Sequence, residues 1–179
     1  TDFSGNSYII DTSGNKQYAD PEKREITYIG YICYGYFSVR FEDKYYISDL
    51  DFNFSKKSYE YIGAYDGNYA AAYDGEKWFF INVDGEKISD ITYDDILLDE
   101  RGMAFNSERA FVKKDDNYIM IDYSENQIGE EHFEDARPFL TGEYAAVKQS
   151  NVWGYVDVSG NMVIEAKYMD ARSFANGYG

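Results

Sequence analysis

A two-part phrase recurs along this chain at one fixed internal distance, and it constrains the fold more than any other feature. The downstream part is a strand–turn–strand phrase, written most fully as Val152-Trp153-Gly154-Tyr155-Val156-Asp157 followed by Val158-Ser159-Gly160-Asn161. Its acidic or amide anchor falls at Asp11, Asp49, Asn82, Asp122 and Asp157, at spacings of 38, 33, 40 and 35 residues. The upstream part runs from an aromatic or Arg through small or aromatic residues to an aliphatic: Tyr36 to Val39, Tyr69 to Ala72, Arg109 to Val112 and Tyr144 to Val147. The aliphatic always precedes the next anchor by 10 residues (39 to 49, 72 to 82, 112 to 122, 147 to 157). A constant inner distance inside a loosely spaced repeat means a rigid supersecondary unit copied along an array.

Each unit reads as three strands. In the last full copy these are Tyr144 to Lys148, Val152 to Asp157 and Met162 to Ile164. A polar turn joins the first two and recurs as Glu42-Asp43, Asp74-Gly75-Glu76 and Asp115-Asp116-Asn117. Gly14, Gly85 and Gly160 sit at the third place of the second turn, where a type I turn closing in a bulge needs a positive φ. Phe52 and Glu125 replace that glycine elsewhere, and the neighbouring Asn53 and Asn126 are expected to carry the left-handed conformation instead. Between the third strand and the next copy lie segments of varying length, rich in Asp, Glu, Tyr and Gly. They read as loops, and loops of variable length belong on one surface. Asp94 to Arg101 could be one helical turn or a short strand.

The expected fold is all-β: a tandem array of three-stranded β-meander repeats of 33–40 residues, as an open twisted stack, with a closed β-propeller as the alternative. The array covers 1–179 as a partial copy (1–35) and units 36–68, 69–108, 109–143 and 144–179. The last residues, Asn176-Gly177-Tyr178-Gly179, stand where another first strand should begin, so the array is expected to continue in a longer protein.

Composition agrees with strands. The 44% of hydrophobic residues includes 20 Tyr and 12 Phe, rings that pack across neighbouring strands. Net charge is −16, the wrong sign for nucleic acid and anionic lipid, so neither is expected as a partner. No run is long and apolar enough to insert into a membrane; the uncharged stretch from Ile26 to Val39 is short and rich in Tyr and Gly.

Chemistry is sparse. Cys33 is the single cysteine and His132 the single histidine, too few for a Cys- or His-based metal site or an ordered nucleophile–base pair. Cys33 reads as a buried inert thiol and His132 as exposed. No phosphate-binding or dinucleotide glycine pattern occurs. The carboxylate pairs Asp94-Asp95, Asp99-Glu100, Glu130-Glu131 and Glu134-Asp135 are the remaining candidates for hydrolysis or calcium, and they read more simply as solvated acidic loops. The expectation is a protein that is not an enzyme and has no cofactor and no metal.

The last copy resembles the WG repeat of bacterial proteins. The resemblance rests on Trp153-Gly154-Tyr155-Val156-Asp157, Gly160, Val163-Ile164, Tyr168-Met169-Asp170-Ala171, Phe174 and Asn176-Gly177. Trp78-Phe79-Phe80-Ile81-Asn82 and Tyr118-Ile119-Met120-Ile121-Asp122 match more loosely, Tyr45 keeps the spacing, and Ser7 stands at the Trp position of the first copy. Glu165-Ala166 replaces the proline that the family places after the third strand. The resemblance implies an all-β repeat array in an envelope or secreted bacterial protein, with no catalytic residues. Trp78, Tyr118 and Trp153 are expected to form a buried ladder of stacked rings, Tyr45 marks the anchor of its own copy, and Gly154 is expected to admit a close neighbour. The expected function is a non-catalytic binding or scaffold module whose variable loops meet a protein or cell-surface partner. The alternative is a carbohydrate-binding module with exposed Tyr as stacking platforms for a glycan.

Overall fold

The structure, a computed structural model, describes residues 8–140 and 142–179. Ser7, at the Trp position of the partial copy, lies outside the described residues. The chain divides into two compact units, Thr1–Asp90 and Ile91–Gly179. All regular structure among the described residues is antiparallel strand, with no helix.

The first unit opens with a hairpin of β1 (Tyr8–Ile10) and β2 (Lys16–Ala19). Two three-stranded sheets follow: β3 (Tyr28–Ile29), β4 (Tyr36–Phe41) and β5 (Lys44–Asp49), then β6 (Tyr61–Ile62), β7 (Ala70–Tyr73) and β8 (Trp78–Ile81). The second unit holds two four-stranded sheets. The first is β9 (Asp95–Ile96), β10 (Ala110–Lys114), β11 (Asn117–Ile121) and β12 (Gln127–Phe133). The second is β13 (Asp135–Ala136), β14 (Tyr144–Gln149), β15 (Val152–Asp157) and β16 (Met162–Tyr168). The sheets are open, and none closes into a barrel.

The central hairpin is the repeat that the spacing of 10 encodes. Tyr36 faces Asp49 and Tyr144 faces Asp157, with uninterrupted register between. The two-residue turns have both φ values positive, at Glu42 and Asp43, Asp115 and Asp116, and Ser150 and Asn151. That is the hairpin turn whose twist matches the strands.

Two readings need correction. The variable segments are not wholly loop, because each contains a two-residue strand (β3, β6, β9, β13) that pairs to the outer edge of the following first strand. Asp94 to Arg101 accordingly starts as strand β9 and forms no helical turn. Nor do Asn53 and Asn126 take the left-handed conformation: Phe52 and Glu125 do, at φ 61 and 60. Turn geometry fixes the third position whatever residue occupies it. The asparagines instead donate their Nδ2 to the anchor carboxylates.

First strands are covered on both faces, and β7 and β14 meet this with runs of small residues. Ala145 and Val147 pack with Phe111, Met120, Phe133 and Phe139 between the two sheets of the second unit, while Ala146 packs with Trp153 and Ala171 on the opposite face. In the first unit Ala70 and Ala72 lie against Ile47, Ile62 and Phe79. Phe37 and Val39 meet Ile26 and Phe52.

Candidate functional site

The anchor turns are built alike. Asp157 Oδ1 accepts the backbone N–H groups of Ser159 and Asn161, each at 2.9 Å, and its Oδ2 accepts Asn161 Nδ2 at 3.1 Å. Asp11, Asp49, Asn82 and Asp122 repeat the pattern. Burial pushes the Asp157 and Asp122 carboxyls up, but the hydrogen bonds from Asn161 and Asn126 and from the turn amides outweigh it and hold both below the usual range. Asp20 and Asp99 make the same turn, with Lys23 and Gly102 at positive φ. The sequence signal for the second was present in Asp99-Glu100-Arg101-Gly102, masked by its reading as a carboxylate pair.

The glycines of these turns differ in need. A Cβ on Gly160 would stand 3.1 Å from Ile128 O, and one on Gly85 3.1 Å from Lys57 O, whereas Gly14 has open space around it. The Gly85 and Gly160 turns thus press on the preceding repeat.

The anchor aromatics sit where a third strand leaves one sheet for the next. Tyr45 bridges to Tyr59, Tyr118 pairs with Phe133, and Trp153 pairs with Tyr168. Tyr118 and Trp153 are buried, but Tyr45 and Trp78 are only half-buried. The continuous buried ladder is therefore corrected. In the first unit the anchors alternate with edge-strand tyrosines, Tyr28–Tyr45–Tyr61–Trp78, at centroid distances of 5.7, 5.2 and 5.7 Å and tilts of 51–65°. The edge strand inserts its own ring between successive anchors. In the second unit the matching edge residues are Asp95 and Asp135. The Tyr118 hydroxyl donates to Asp95 Oδ2 at 2.6 Å, and burial first, then the Asp95 bond and charge, push that hydroxyl well above the usual tyrosine range.

Gly154 does admit a close neighbour. A Cβ there would lie 2.6 Å from Ile164 O and 2.7 Å from Ala166 N.

The carboxylate pairs are mostly spent on structure. Asp95 and Asp135 each accept the next residue's N–H, Glu131 accepts Gln149 Nε2, and Glu134 accepts Asn151 N. His132 is exposed. Cys33 is half-buried rather than buried, because it begins the turn into β4. Among the described residues no group of three or more His, Cys, Asp or Glu is placed to hold a metal ion, and no helix is long and apolar enough to cross a membrane.

The segments leading from each edge strand into the first strand carry what the sequence left undefined. In the first unit Tyr31, Ile32 and Tyr34 are exposed there, Tyr34 at 78%, beside the exposed Tyr28. In the second unit such segments line a groove of about 340 Å³ with Leu98, Asp99, Arg137, Leu140, Arg172 and Ser173 among its walls.

The pattern of the family described as WG containing repeat matches residues 78–118, 132–153 and 153–179. The chain belongs to the WG repeat family. The literal Trp-Gly pair occurs once, at Trp153-Gly154, and the other WG repeats keep the aromatic and the turn. No curated protein matches the chain. Among solved structures it is similar to Hsv2, a β-propeller. The Kluyveromyces lactis protein, with loop 6CD replaced by a Gly-Ser linker, shares 10% identity at a TM-score of 0.50, covering 87% of this chain and 58% of that one. Kluyveromyces marxianus Hsv2 shares 9% at 0.51, covering 88% and 57%. The WG-repeat chain thus spans little more than half the length of these structures, and the likeness concerns the fold alone.

Proposed function

We propose that this WG-repeat chain is a non-catalytic binding module whose edge-to-first-strand loops meet a protein or cell-surface partner. The observation that carries the reading is the exposed Tyr28, Tyr31, Ile32 and Tyr34 within seven residues of the first unit. Exposed tyrosines on loops held by a rigid sheet supply large contact area at low entropy cost. The carboxylates that could serve hydrolysis are largely occupied by backbone and side-chain donors.

The test is a binding screen of the purified chain against glycan arrays and immobilised bacterial surface proteins, with turnover measured in parallel. Saturable binding without turnover, weakened by Tyr34→Ser at an unchanged melting temperature, is the expected result. Hydrolysis abolished by Asp94→Asn or Glu130→Gln would overturn the reading.

A glycan partner is the second reading, favoured by the Tyr28–Tyr45–Tyr61–Trp78 row. Pyranose rings stack on such faces. The tilt between successive rings leaves no flat platform, so this reading ranks second. Sugar-dependent quenching of Trp78 fluorescence, lost in Tyr28→Ser, would promote it.

A further inference from the structure

Each of the four first strands carries a two-residue edge strand on its outer side, and the joint is made the same way every time. The residues flanking the edge pair donate their N–H groups to first-strand carbonyls: Thr27 and Gly30, Glu60 and Gly63, Asp94 and Leu97, Glu134 and Arg137, at 2.8–3.0 Å. In the second unit the pairing is also charged, with Asp95 facing Lys113 and Asp135 facing Lys148.

Asp170-Ala171 has the build of these edge pairs. Asp170 Oδ1 accepts the Ala171 N–H at 2.9 Å, as Asp95 and Asp135 accept the N–H groups that follow them. Among the described residues no strand pairs with it. Met169 N–H, in the place of Glu134 N–H, has no backbone acceptor there, and Arg172 N–H meets the Tyr155 hydroxyl. The neighbouring rings differ to match. Phe133 is 2% exposed, covered by Ala145 and Val147 of the following first strand together with Met120, Ala136 and Phe139. Tyr168, in the place of Phe133, is 42% exposed. Tyr155, Ala171 and Phe174, in the places of Met120, Ala136 and Phe139, line an open groove of about 420 Å³.

We propose that this edge binds an extended segment of another protein, of the pattern small–small–aliphatic–Lys, which adds as an antiparallel strand with its lysine over Asp170. Met169 and Arg172 supply the backbone donors. The aliphatic side chain covers Tyr168 and Phe174. The lysine meets a carboxylate whose side chain is 75% exposed although Arg137 touches it. A net charge of −16 attracts a cationic segment. A second copy is a poor donor, because all four first strands are paired on both sides and giving one up would open a sheet. The contact is separate from the exposed tyrosines of the first unit and adds backbone pairing to loop recognition.

The test titrates the whole chain with the acetylated, amidated peptide of Tyr144–Gln149, read by amide NMR and hydrogen exchange. Saturable shifts from Met169 to Arg172, with slowed exchange of the Met169 amide, are the expected result. Lys148→Gln in the peptide or Asp170→Asn in the chain should each weaken binding about two- to fivefold, and both together no more than one alone. Asparagine keeps an oxygen for the Ala171 N–H, so the edge itself is preserved. Val147→Ala in the peptide should weaken binding about tenfold. Met169→Pro, which removes a donor at an exposed position, should abolish binding at an unchanged melting temperature. No saturable shift, shifts confined to other residues, or equal binding of the Lys148→Gln peptide would each overturn the proposal. Protection of the Met169 amide that grows with chain concentration and resists the peptide would assign the edge to a second copy and overturn it too. A silent edge in a chain whose partner binding still weakens with Tyr34→Ser removes this inference alone. Peptide pairing in a chain whose partner binding is indifferent to Tyr34→Ser leaves it standing and removes the loop reading.

Discussion

Trp153 faces Tyr168 across β15 and β16, although the neighbouring pair is Tyr155 with Ile164. Two residues on one strand therefore span four on the other, and β16 bulges over Gly154. The bulge passes where a Cβ would be, within 2.9 Å of Ala166 Cα. Gly154→Ala is expected to cost about 1–3 kcal/mol, because the obstacle is backbone and cannot rotate away. Urea denaturation checks it, and a midpoint equal to the parent's would refute the close-approach role.

Trp153 is 6% exposed and carries the Arg137 guanidinium on its face. Trp153→Ala should cost about 3–5 kcal/mol, mostly from the cavity, with the exposed cation–π contact adding about 0.5–1. An unmoved thermal melt would remove Trp153 from the core.

Phe52 stands at φ 61 yet is 1% exposed, with its ring 5.7 Å from Phe37. Phe52→Gly relieves about 1–2 kcal/mol of left-handed strain and loses about 3–5 of burial. The expected result is net destabilisation of about 2–3 kcal/mol, measured by chemical denaturation. A more stable variant would show that the turn, not the ring, sets this position.

Asp157→Asn should keep the two backbone bonds, as Asn82 does, but lose the Asn161 Nδ2 bond to Oδ2, so it should cost less than the about 1 kcal/mol of Asp157→Ala without being neutral. Comparing the two melting temperatures decides it. Equal losses would mean that charge, not hydrogen bonding, holds the turn.

The pH dependence follows from Tyr118 and Tyr93, whose hydroxyls burial first, then their carboxylate partners Asp95 and Glu125, push well above the usual range. A raised folded-state pKa gives stability that is complete below the unfolded value of about 10 and is lost as pH rises beyond it. Asp122 and Asp157, held low, give stability that is present above about pH 4 and is lost on acidification. Melting temperature should thus be flat near neutrality and fall at both ends, and Tyr118→Phe should blunt the alkaline fall. An unchanged alkaline limb in that variant would contradict the assignment.

The central hairpins were legible because Tyr36 with Asp49 and Tyr144 with Asp157 are paired through short turns, so local spacing encodes them. The edge strands were not. Tyr61-Ile62, Asp95-Ile96 and Asp135-Ala136 are two residues long, below any periodicity, and exist only because a neighbouring strand is there to pair with. Phe52 and Glu125 were misread because the turn's hydrogen bonds override local preference. The groove around Arg137 and Arg172 was invisible, since its walls come from segments 35 residues apart whose convergence is set by the sheets.

The strand that ends one sheet at Phe133 opens the next at Asp135. A segment shared in this way behaves like a hinge pin common to two leaves. A slip in its register travels to both partners, so that within the second unit tension on the chain loads this shared segment before either of its two sheets can come free.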